Sequence, residues 1–187
     1  MSEFSSLRYI DELPKKEKIL RLVWNTVWLL LFRPTPRWAF NYWRILLLKI
    51  FGAKIGSGSK VSPSCFVWAP WNLVMGEYTV LGDGVDCYTM DKIIIGSKVA
   101  VSQRTFLCTG SHDITSLRRP LITRPILIED HVWVCAEAFV GPGVTLSNNS
   151  VVAARAVAVK DTSAFDIVAG NPARKVGTRK IESNHEN

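Results

Sequence analysis

Aliphatic side chains recur at every sixth position through most of this chain. The period is clearest near the C-terminal end, where six apolar residues follow one another at that spacing: Ile128, Val134, Val140, Leu146, Val152 and Ala158. Three earlier sets keep the same spacing: Ile55, Val61 and Val67; Met75, Leu81 and Cys87; and Ile95, Val101 and Leu107. Such regularity predicts one repeating structural unit.

A hexapeptide period is typical of a parallel β-helix. Each hexapeptide supplies one short strand and one corner, and three of them complete a triangular coil. Small residues are needed at the corners because successive coils stack about 4.8 Å apart. Hexapeptide coils wind left-handed, against the usual right-handed rule for parallel crossovers. The sequence therefore predicts an all-β solenoid, a left-handed parallel β-helix, over residues 53–176.

The repeat is interrupted in two places. Between Cys108 and Ile126 no aliphatic residue occurs where the period requires one. An insertion that leaves a solenoid forms a loop, and loops on a rigid scaffold commonly carry function. We therefore expect one long protruding loop at about 108–126. A shorter break from Asp86 to Lys92 predicts a second irregularity.

The first 52 residues follow a different period. Apolar residues recur at helical spacing over residues 20–31 and again over residues 37–51. Pro34 and Pro36 lie between the two stretches, which predicts two helices joined by a proline turn. The predicted organisation is an N-terminal helical segment at 1–52, the β-helix at 53–176 and a polar tail at 177–187.

Two interpretations of the N-terminal helices stay open. A β-helix has open ends, so a helical cap would cover the edge groups of the first coil. Aromatic and basic side chains also anchor amphipathic helices at a membrane surface, which would place the protein peripherally at the inner face of the cell membrane. The residues that fit this second interpretation are Trp24, Trp28, Trp38 and Trp43 with Arg33, Arg37, Arg44 and Lys49.

Length and charge narrow the function only a little. The 187 residues suffice for one well-buried domain, and the net charge of +7 suits phosphate-bearing cofactors, anionic glycans, nucleic acid or phospholipid. We expect no nucleic-acid partner, because the basic residues are dispersed and no binding motif is present. The longest apolar run, residues 27–32, is far shorter than the roughly 20 residues of a transmembrane helix. With no apolar signal segment at the start and no CxxC spacing, a cytoplasmic protein is expected.

Several segments together resemble the hexapeptide-repeat acetyltransferases, particularly the colanic-acid and exopolysaccharide biosynthesis branch, which is related to the maltose and galactoside O-acetyltransferases. The matching segments are GAKIG at 52–56, WAPWNL at 68–73, GDGVD at 82–86, CTGSHD at 108–113, VW at 132–133, GPGV at 141–144 and VAGNPAR at 168–174. The resemblance implies a homotrimer, with acetyl-CoA in a groove between adjacent β-helices, and no metal. It also implies that His112 is the catalytic base and that Asp86 stands where relatives bind the acceptor.

His112 has the chemistry that this activity needs. A neutral sugar hydroxyl is a poor nucleophile, and a histidine that titrates near neutral pH can take its proton. His112 lies in the long interruption of the repeat; by residue type alone it could equally cap a turn. Asp113 could orient the imidazole or cap the loop.

Other nucleophiles and metal ligands fit the sequence less well. Each of the four cysteines, Cys65, Cys87, Cys108 and Cys135, falls on a repeat position where a small buried residue belongs. A zinc site of the carbonic-anhydrase kind needs three histidines. His131 and His185 are far from His112 in the chain, on an outward-facing repeat position and in the polar tail.

The acetyl donor has its own candidate residues. The resemblance implies that a backbone N–H just after the Trp133 segment holds the developing oxyanion, and Ala136 is the candidate. Trp133 could flank the pantetheine arm or simply pack outside a coil, and Ala154 stands at a corner where relatives contact the cofactor. Arg174, with Lys160 and Lys175, could pair with the phosphates of coenzyme A or form an ordinary solvated basic surface.

Three functions remain open from the sequence. The first is acetyl-CoA-dependent O-acetylation of a saccharide, in exopolysaccharide or surface-glycan biosynthesis. The second is N-acylation of an amino sugar or nucleotide sugar. The third is a non-catalytic β-helix scaffold. The histidine loop and the cofactor segment both argue against a scaffold.

Overall fold

Short parallel strands build three stacked sheets. The structure is a computed structural model that describes residues 14–181. Its strands are β1 Lys54–Ile55, β2 Lys60–Val61, β3 Phe66–Val67, β4 Leu73–Met75, β5 Val80–Leu81, β6 Asp86–Tyr88, β7 Ile93–Ile95, β8 Ala100–Val101, β9 Phe106–Cys108, β10 Gly110–His112, β11 Leu121–Thr123, β12 Ile126–Ile128, β13 Trp133–Val134, β14 Phe139–Val140, β15 Thr145–Leu146, β16 Val151–Val152, β17 Val157–Ala158, β18 Asp166–Ala169 and β19 Arg174–Thr178.

The three sheets are the faces of a triangular solenoid. Sheet A has the order β1-β4-β7-β12-β15, sheet B has β2-β5-β8-β13-β16-β18-β19, and sheet C has β3-β6-β9-β14-β17. Neighbouring strands within these sheets are parallel, except that β19 is antiparallel to β18. The parallel β-helix predicted from the hexapeptide period is confirmed.

The repeating aliphatic residues form the interior, as the period predicts. Ile55 pairs with Met75 and Met75 with Ile95, and all three are buried. These first coils are twenty residues long, two more than three hexapeptides, whereas Ile128 pairs with Leu146 after eighteen. The extra residues lie between sheets C and A: a 3-10 turn at Pro70–Asn72 in one coil, and the segment before Ile93 in the next. The second is the irregularity expected at 86–92.

Two helices cover the open end of the first coil. Helix α1 spans Lys15–Val27 and continues as a π-helical turn at Trp28–Phe32, and helix α2 spans Asn41–Ile50. The Trp24 indole is fully buried and donates to the Val67 carbonyl at 2.6 Å. Trp28 donates to the Cys65 carbonyl at 2.9 Å.

Two residues of α2 also form hydrogen bonds with backbone groups of the first coil, near strand β2. The buried Arg44 donates through Nε to the Val61 carbonyl at 2.8 Å. Asn41 donates to the carbonyl of Ser59 and accepts from the N–H of Val61. These side chains satisfy strand-edge groups that no further coil could pair, which is the physical requirement for a cap.

The structure corrects part of the membrane-surface interpretation. The side chains of Trp24, Trp28 and Arg44 form hydrogen bonds with carbonyl groups of the first coil. They are therefore not available to a membrane. Arg37 pairs with Asp83 at 2.7 Å. The remaining candidates are Trp38, Trp43, Arg33 and Lys49. The second helix also begins later than predicted, because Phe40 adopts a left-handed conformation with φ of 62°.

The opposite end closes by a reversal of the chain. Strand β18 continues sheet B, and β19 turns back antiparallel along it. The predicted domain end at residue 176 therefore falls inside β19. His185 and the rest of the polar tail after Ile181, like residues 1–13, lie outside the described residues. Over residues 14–181, no helix is long and apolar enough to cross a bilayer.

Candidate active site

The long interruption of the repeat is a β-hairpin. Strand β10 pairs antiparallel with β11, and His112 lies opposite Leu121. The hairpin leaves the solenoid after Cys108 in sheet C and returns at Ile126 in sheet A, so it protrudes from the C–A corner. Its base packs tightly, since a Cβ at Gly110 would lie 2.9 Å from the Tyr88 ring. The expected loop is thus an ordered two-stranded element.

The hairpin holds the His112 ring through its backbone. The Nδ1 atom of His112 lies 2.7 Å from the carbonyl oxygen of Arg119, and the side chain is exposed. A carbonyl can only accept, so Nδ1 must donate, and in the neutral imidazole the lone pair then lies on Nε2. This arrangement leaves Nε2 as the proton acceptor at the tip of a projecting element.

Asp113 serves the turn of the hairpin. Its Oδ1 accepts from the N–H of Thr115 at 2.8 Å and from the Thr115 hydroxyl at 2.6 Å. These bonds lower the pKa of the Asp113 carboxyl. Of the two roles considered for Asp113, the contacts are those of a loop cap, and the orienting group for the imidazole is the Arg119 carbonyl. A backbone carbonyl leaves no signature in the sequence, so this group could not be found there.

Asp86 lies on the outer side of sheet C, close to the base of the hairpin. It pairs in register with Phe106, while Tyr88 pairs with Cys108. Its Oδ1 is buried and has no hydrogen-bond partner within residues 14–181. Burial raises the pKa of this carboxyl. An unpaired carboxylate oxygen costs free energy, so Asp86 is a candidate for a group that a ligand satisfies.

The predicted donor residues stack at a different corner. Ala136 lies between β13 and β14 and Ala154 between β16 and β17, so both are at the B–C corner. The N–H of Arg155 donates to the Ala136 carbonyl at 2.9 Å, which places the two coils directly on top of each other. Within the described residues neither Ala136 nor Ala154 uses its N–H in a hydrogen bond to the protein. These two donors are available to a ligand.

A charged column runs beside these alanines. Glu137 forms ion pairs with Arg104 on the coil before it and with Arg155 on the coil after it. The two guanidinium groups, Arg155 first, lower the pKa of the Glu137 carboxyl. Arg155 adopts the left-handed conformation with φ of 61°. The column is not visible in the sequence because the hairpin insertion puts Arg104 and Glu137 33 positions apart.

Trp133 lies on the outer side of sheet B and contacts Ser102, which lines a cleft. Its indole Nε1 donates to the Ser102 hydroxyl at 3.0 Å, and the ring is about half exposed. Ser102 also lines an open cleft of about 580 Å³ on the lower coils, together with Arg37, Asp83, Gln103 and Arg104. This cleft was not predicted, because its residues come from the cap and from two separate coils.

The predicted phosphate-binding cations meet at the C-terminal end of the solenoid. Lys160, Arg174 and Lys175 line one small cavity of about 180 Å³. Lys175 is paired there with Asp166 at 2.6 Å, and its ammonium lowers the pKa of that carboxyl. Among the residues that the structure describes, the Arg174 guanidinium donates to the adjacent Ala173 carbonyl alone. Lys160 and Arg174 are therefore better placed than Lys175 to meet an anionic ligand.

The chain does not bring all its candidates to one place. His112 projects from the C–A corner, whereas Ala136 and Ala154 lie at the B–C corner and Trp133 on sheet B. Asp86 lies on sheet C, between the two corners. One face of the triangle thus separates the candidate base from the candidate donor groove.

The cysteines have the character of core residues. Cys65, Cys87 and Cys108 are buried, and burial raises the pKa of Cys108 and Cys135. A hydrogen bond with Cys87 raises the pKa of Cys65 well above its usual range. A raised pKa opposes the thiolate that nucleophilic catalysis needs. Residues 14–181 contain no cluster of three or more His, Cys, Asp or Glu side chains that could hold a metal ion.

Known proteins share both the sequence and the architecture. WcaF of Escherichia coli K12, assigned as an acetyltransferase of colanic acid biosynthesis, is 39% identical over 151 residues, which are 81% of this chain and 82% of WcaF. The galactoside O-acetyltransferase of the same organism is 28% identical over 136 residues, 70% of this chain and 66% of that protein. No protein-family model matches the chain.

A solved structure extends the comparison to the fold. The hexapeptide-repeat acetyltransferase of Vibrio cholerae O1 biovar eltor, complexed with acetyl coenzyme A, superposes with a TM-score of 0.82 at 26% identity, covering 97% of this chain and 100% of that one. Together with the 39% identity to WcaF over four fifths of both chains, this shows that the chain belongs to the hexapeptide-repeat acetyltransferases and is an acyltransferase.

Proposed function

We propose that this acyltransferase moves an acetyl group from acetyl-CoA to a hydroxyl of a saccharide, with His112 as the general base. The observation that carries the proposal is the contact between His112 Nδ1 and the Arg119 carbonyl. It fixes the ring and leaves the lone pair on Nε2, and the His112 side chain is exposed on the hairpin. A general base has to present such a lone pair to the hydroxyl that it deprotonates.

The reaction needs no covalent enzyme intermediate. As the hydroxyl oxygen attacks the thioester carbon, its proton passes to His112 Nε2. The tetrahedral oxyanion accepts from the N–H of Ala136, which the fold leaves unused. When the intermediate collapses, the C–S bond breaks and the thiolate takes the proton from the imidazolium. The products are an acetyl ester and coenzyme A.

The donor is proposed to lie along the B–C corner. Ala136 and Ala154 offer free backbone N–H groups, and Trp133 supplies an exposed aromatic surface for the pantetheine arm. Lys160 and Arg174 line a cavity at the C-terminal end of the solenoid, where they would pair with the phosphates. The acetyl coenzyme A bound to the Vibrio cholerae relative supports this choice of donor.

The acceptor is proposed to be a saccharide of an exopolysaccharide or surface glycan. The assignment of WcaF to colanic acid biosynthesis supports this class. Asp86 offers a carboxylate oxygen that has no hydrogen-bond partner among residues 14–181, and sugar hydroxyls could satisfy it. The cleft that Ser102 lines is open, and Arg37, Asp83, Gln103 and Arg104 offer polar groups there that could bind sugar hydroxyls.

We propose that the active site forms between chains of a homotrimer. His112 and the donor groove lie at different corners of one chain, so a hairpin reaching the groove of a neighbour would complete the site. The outer side of sheet C also carries half-buried aromatic rings that contact one another, Phe106 with Phe139 at 5.5 Å and with Tyr88 at 6.2 Å between centroids. Such a surface suits packing against another chain.

The test is the release of coenzyme A from acetyl-CoA with a panel of saccharides and amino sugars. It compares wild-type protein with His112→Ala and with the control His131→Ala, whose histidine lies on an exposed corner. Acceptor-dependent release that His112→Ala loses and His131→Ala keeps would support the proposal. Equal release by His112→Ala would reject His112 as the base.

The product decides between O- and N-acetylation. Hydroxylamine cleaves an acetyl ester but leaves an amide intact, so treating the purified product separates the two. A product that resists hydroxylamine would reject the O-acetyl proposal. Binding of acetyl-CoA without release to any acceptor would point to a missing acceptor, whereas the absence of binding would favour a scaffold.

A further inference from the structure

The N-terminal cap exposes a large apolar surface. Its inner side, including Trp24, Phe32 and Leu48, packs on the first coil. Its outer side presents large hydrophobic side chains to solvent, with Trp38 and Tyr42 about 90% exposed. We define the cap face as Ile19, Leu22, Leu29, Leu30, Trp38, Tyr42, Leu46 and Ile50, each at least 49% exposed.

The cap face is continuous across both helical segments. Tyr42, Leu46 and Ile50 follow one another at four-residue spacing, so they form one stripe along α2. The Trp43 indole donates to the Leu31 carbonyl at 2.9 Å, which joins α2 to the π-helical turn after α1. The outward sides of the two segments therefore lie next to each other. A contiguous exposed apolar patch of this kind marks an interaction surface.

The positive charge around the cap face favours an anionic partner. Between residues 14 and 54 the chain has nine lysines and arginines and one acidic residue, Glu17. Arg44 is buried and Arg37 is paired with Asp83, but Lys15, Lys16, Arg33 and Lys49 are exposed. We call these four exposed cations the cationic border of the cap face. An apolar surface with amphipathic aromatic residues and such a border is complementary to anionic lipid headgroups above acyl chains. A second copy of this chain would instead bring like charges together.

We propose that the cap face binds peripherally to the surface of an anionic lipid bilayer. Trp38, Tyr42 and the aliphatic side chains enter the boundary between headgroups and acyl chains, and the lysines contact the anionic headgroups. The docked inner side of the cap keeps the helices in place, so binding requires no unfolding of the solenoid. This proposal does not depend on the reaction proposed above.

The test is co-sedimentation of the full chain with vesicles. One set contains phosphatidylglycerol and phosphatidylcholine at about 3:7, and the other contains phosphatidylcholine alone. Trp38→Ser combined with Tyr42→Ser should lower the partition coefficient for the anionic vesicles at least about tenfold. The matched control is Tyr78→Ser, which removes a tyrosine that is 60% exposed on the β-helix, away from the cap face.

The cationic border is tested separately. Changing Lys15, Lys16 and Lys49 to Gln should weaken binding at low salt by up to about fivefold for each lysine. The control changes three exposed lysines of the solenoid and the C-terminal segment, Lys92, Lys98 and Lys180, to Gln and should bind as the wild-type protein does. Binding should also fall as the salt concentration rises.

Four results would overturn the proposal. They are no binding of the wild-type protein to anionic vesicles at low salt, unchanged binding after the Trp38 and Tyr42 substitutions, equal binding to uncharged vesicles, and a loss of self-association in that variant without any vesicle binding. The last result would identify the cap face as a contact between chains. None of these readouts uses acetyl transfer, so failure here and failure of the proposed reaction are distinguishable.

Discussion

His112 Nδ1 and the carbonyl oxygen of Arg119 lie 2.7 Å apart across the hairpin that leaves the β-helix. The pairing of β10 with β11 brings the two residues together, although seven positions separate them in the chain. The Arg119 carbonyl therefore acts as a positioning group for the imidazole, in the way that a carboxylate does in many other enzymes. Its consequence is a defined tautomer with the lone pair on Nε2.

This tautomer can be observed directly. The protein is labelled with ¹⁵N-histidine and measured at a pH at which the imidazole ring is neutral. His112 should then show a protonated Nδ1 and an unprotonated Nε2. His112→Gln identifies its signals among the three histidines. The opposite tautomer would contradict the geometry and remove the argument for Nε2 as the base.

Removing the base should affect turnover far more than removing the loop cap. We expect His112→Ala to lower kcat by about 10²- to 10⁴-fold with little change in the free energy of unfolding, because the side chain is exposed. Asp113→Ala should lower kcat by less than about tenfold, since Asp113 contacts Thr115 while the Arg119 carbonyl holds the ring. Equal losses in the two variants would indicate that Asp113 acts on the imidazole.

Asp86→Asn should stabilise the protein at neutral pH. Burial raises the pKa of Asp86, so its contribution to stability is present at low pH and is lost as the pH rises through the folded-state pKa. The substitution should raise the free energy of unfolding by about 1 kcal/mol or less at pH 7. The difference should vanish below the unfolded pKa of about 3.9. Denaturant titrations across this pH range measure it.

Asp166→Asn provides a control in which the change in the free energy of unfolding has the opposite sign. Lys175 lowers the pKa of Asp166, so this carboxylate stabilises the folded state above its unfolded pKa and loses that effect as the pH falls. Asp166→Asn should therefore lower the free energy of unfolding at pH 7 and leave it unchanged in acid.

If Asp86 binds the acceptor, Asp86→Asn should also raise the KM for the saccharide while stabilising the fold.

The cap should depend on the Trp24 indole. Trp24→Phe leaves the buried Val67 carbonyl without its donor and removes core volume, so we expect a loss of about 2 kcal/mol or more in the free energy of unfolding. Trp43→Phe should cost less than about 0.5 kcal/mol, because its partner carbonyl, that of Leu31, can be hydrated at the exposed cap surface. Urea titration at one protein concentration makes the comparison. Equal losses would show that the edge carbonyl of the first coil does not need the indole.

Arg174→Met should raise the KM for acetyl-CoA about tenfold through the lost contact with a phosphate. With acetyl-pantetheine, which lacks the nucleotide phosphates, the variant and the wild-type protein should have the same KM. Lys175→Met should have a smaller effect on the KM for acetyl-CoA, because Lys175 is already paired with Asp166. A defect of Arg174→Met that persists with acetyl-pantetheine would mean that Arg174 supports the fold rather than the phosphates.

Some features of the site were within reach of the sequence and others were not. The interruption that contains His112 was visible because the six-residue period stops there. The antiparallel pairing of β10 with β11 was not visible, and neither was the Arg119 carbonyl, because both depend on how the inserted segment folds back on itself. The column of Arg104, Glu137 and Arg155 was hidden for a related reason: corner positions stack across coils of unequal length.

The amphipathic helices illustrate the same limit. Their pattern predicted two helices but could not say which tryptophans pack on the β-helix. Trp24 and Trp28 bind carbonyls of the first coil, whereas Trp38 remains exposed. That division depends on where the edge groups of the coil lie in space.

The six-residue period was enough to predict the repeating coil, its apolar interior and the place of the histidine insertion. Each of these follows from a local pattern, because residues six positions apart occupy equivalent inward-facing places on successive faces of the coil. The fold was needed to define the tautomer of His112, the lack of a hydrogen-bond partner for Asp86 within residues 14–181, and the separation of the base from the donor groove at two corners. The tautomer depends on how the hairpin folds back on itself, and the other two properties depend on how the coils stack, which the six-residue period does not describe.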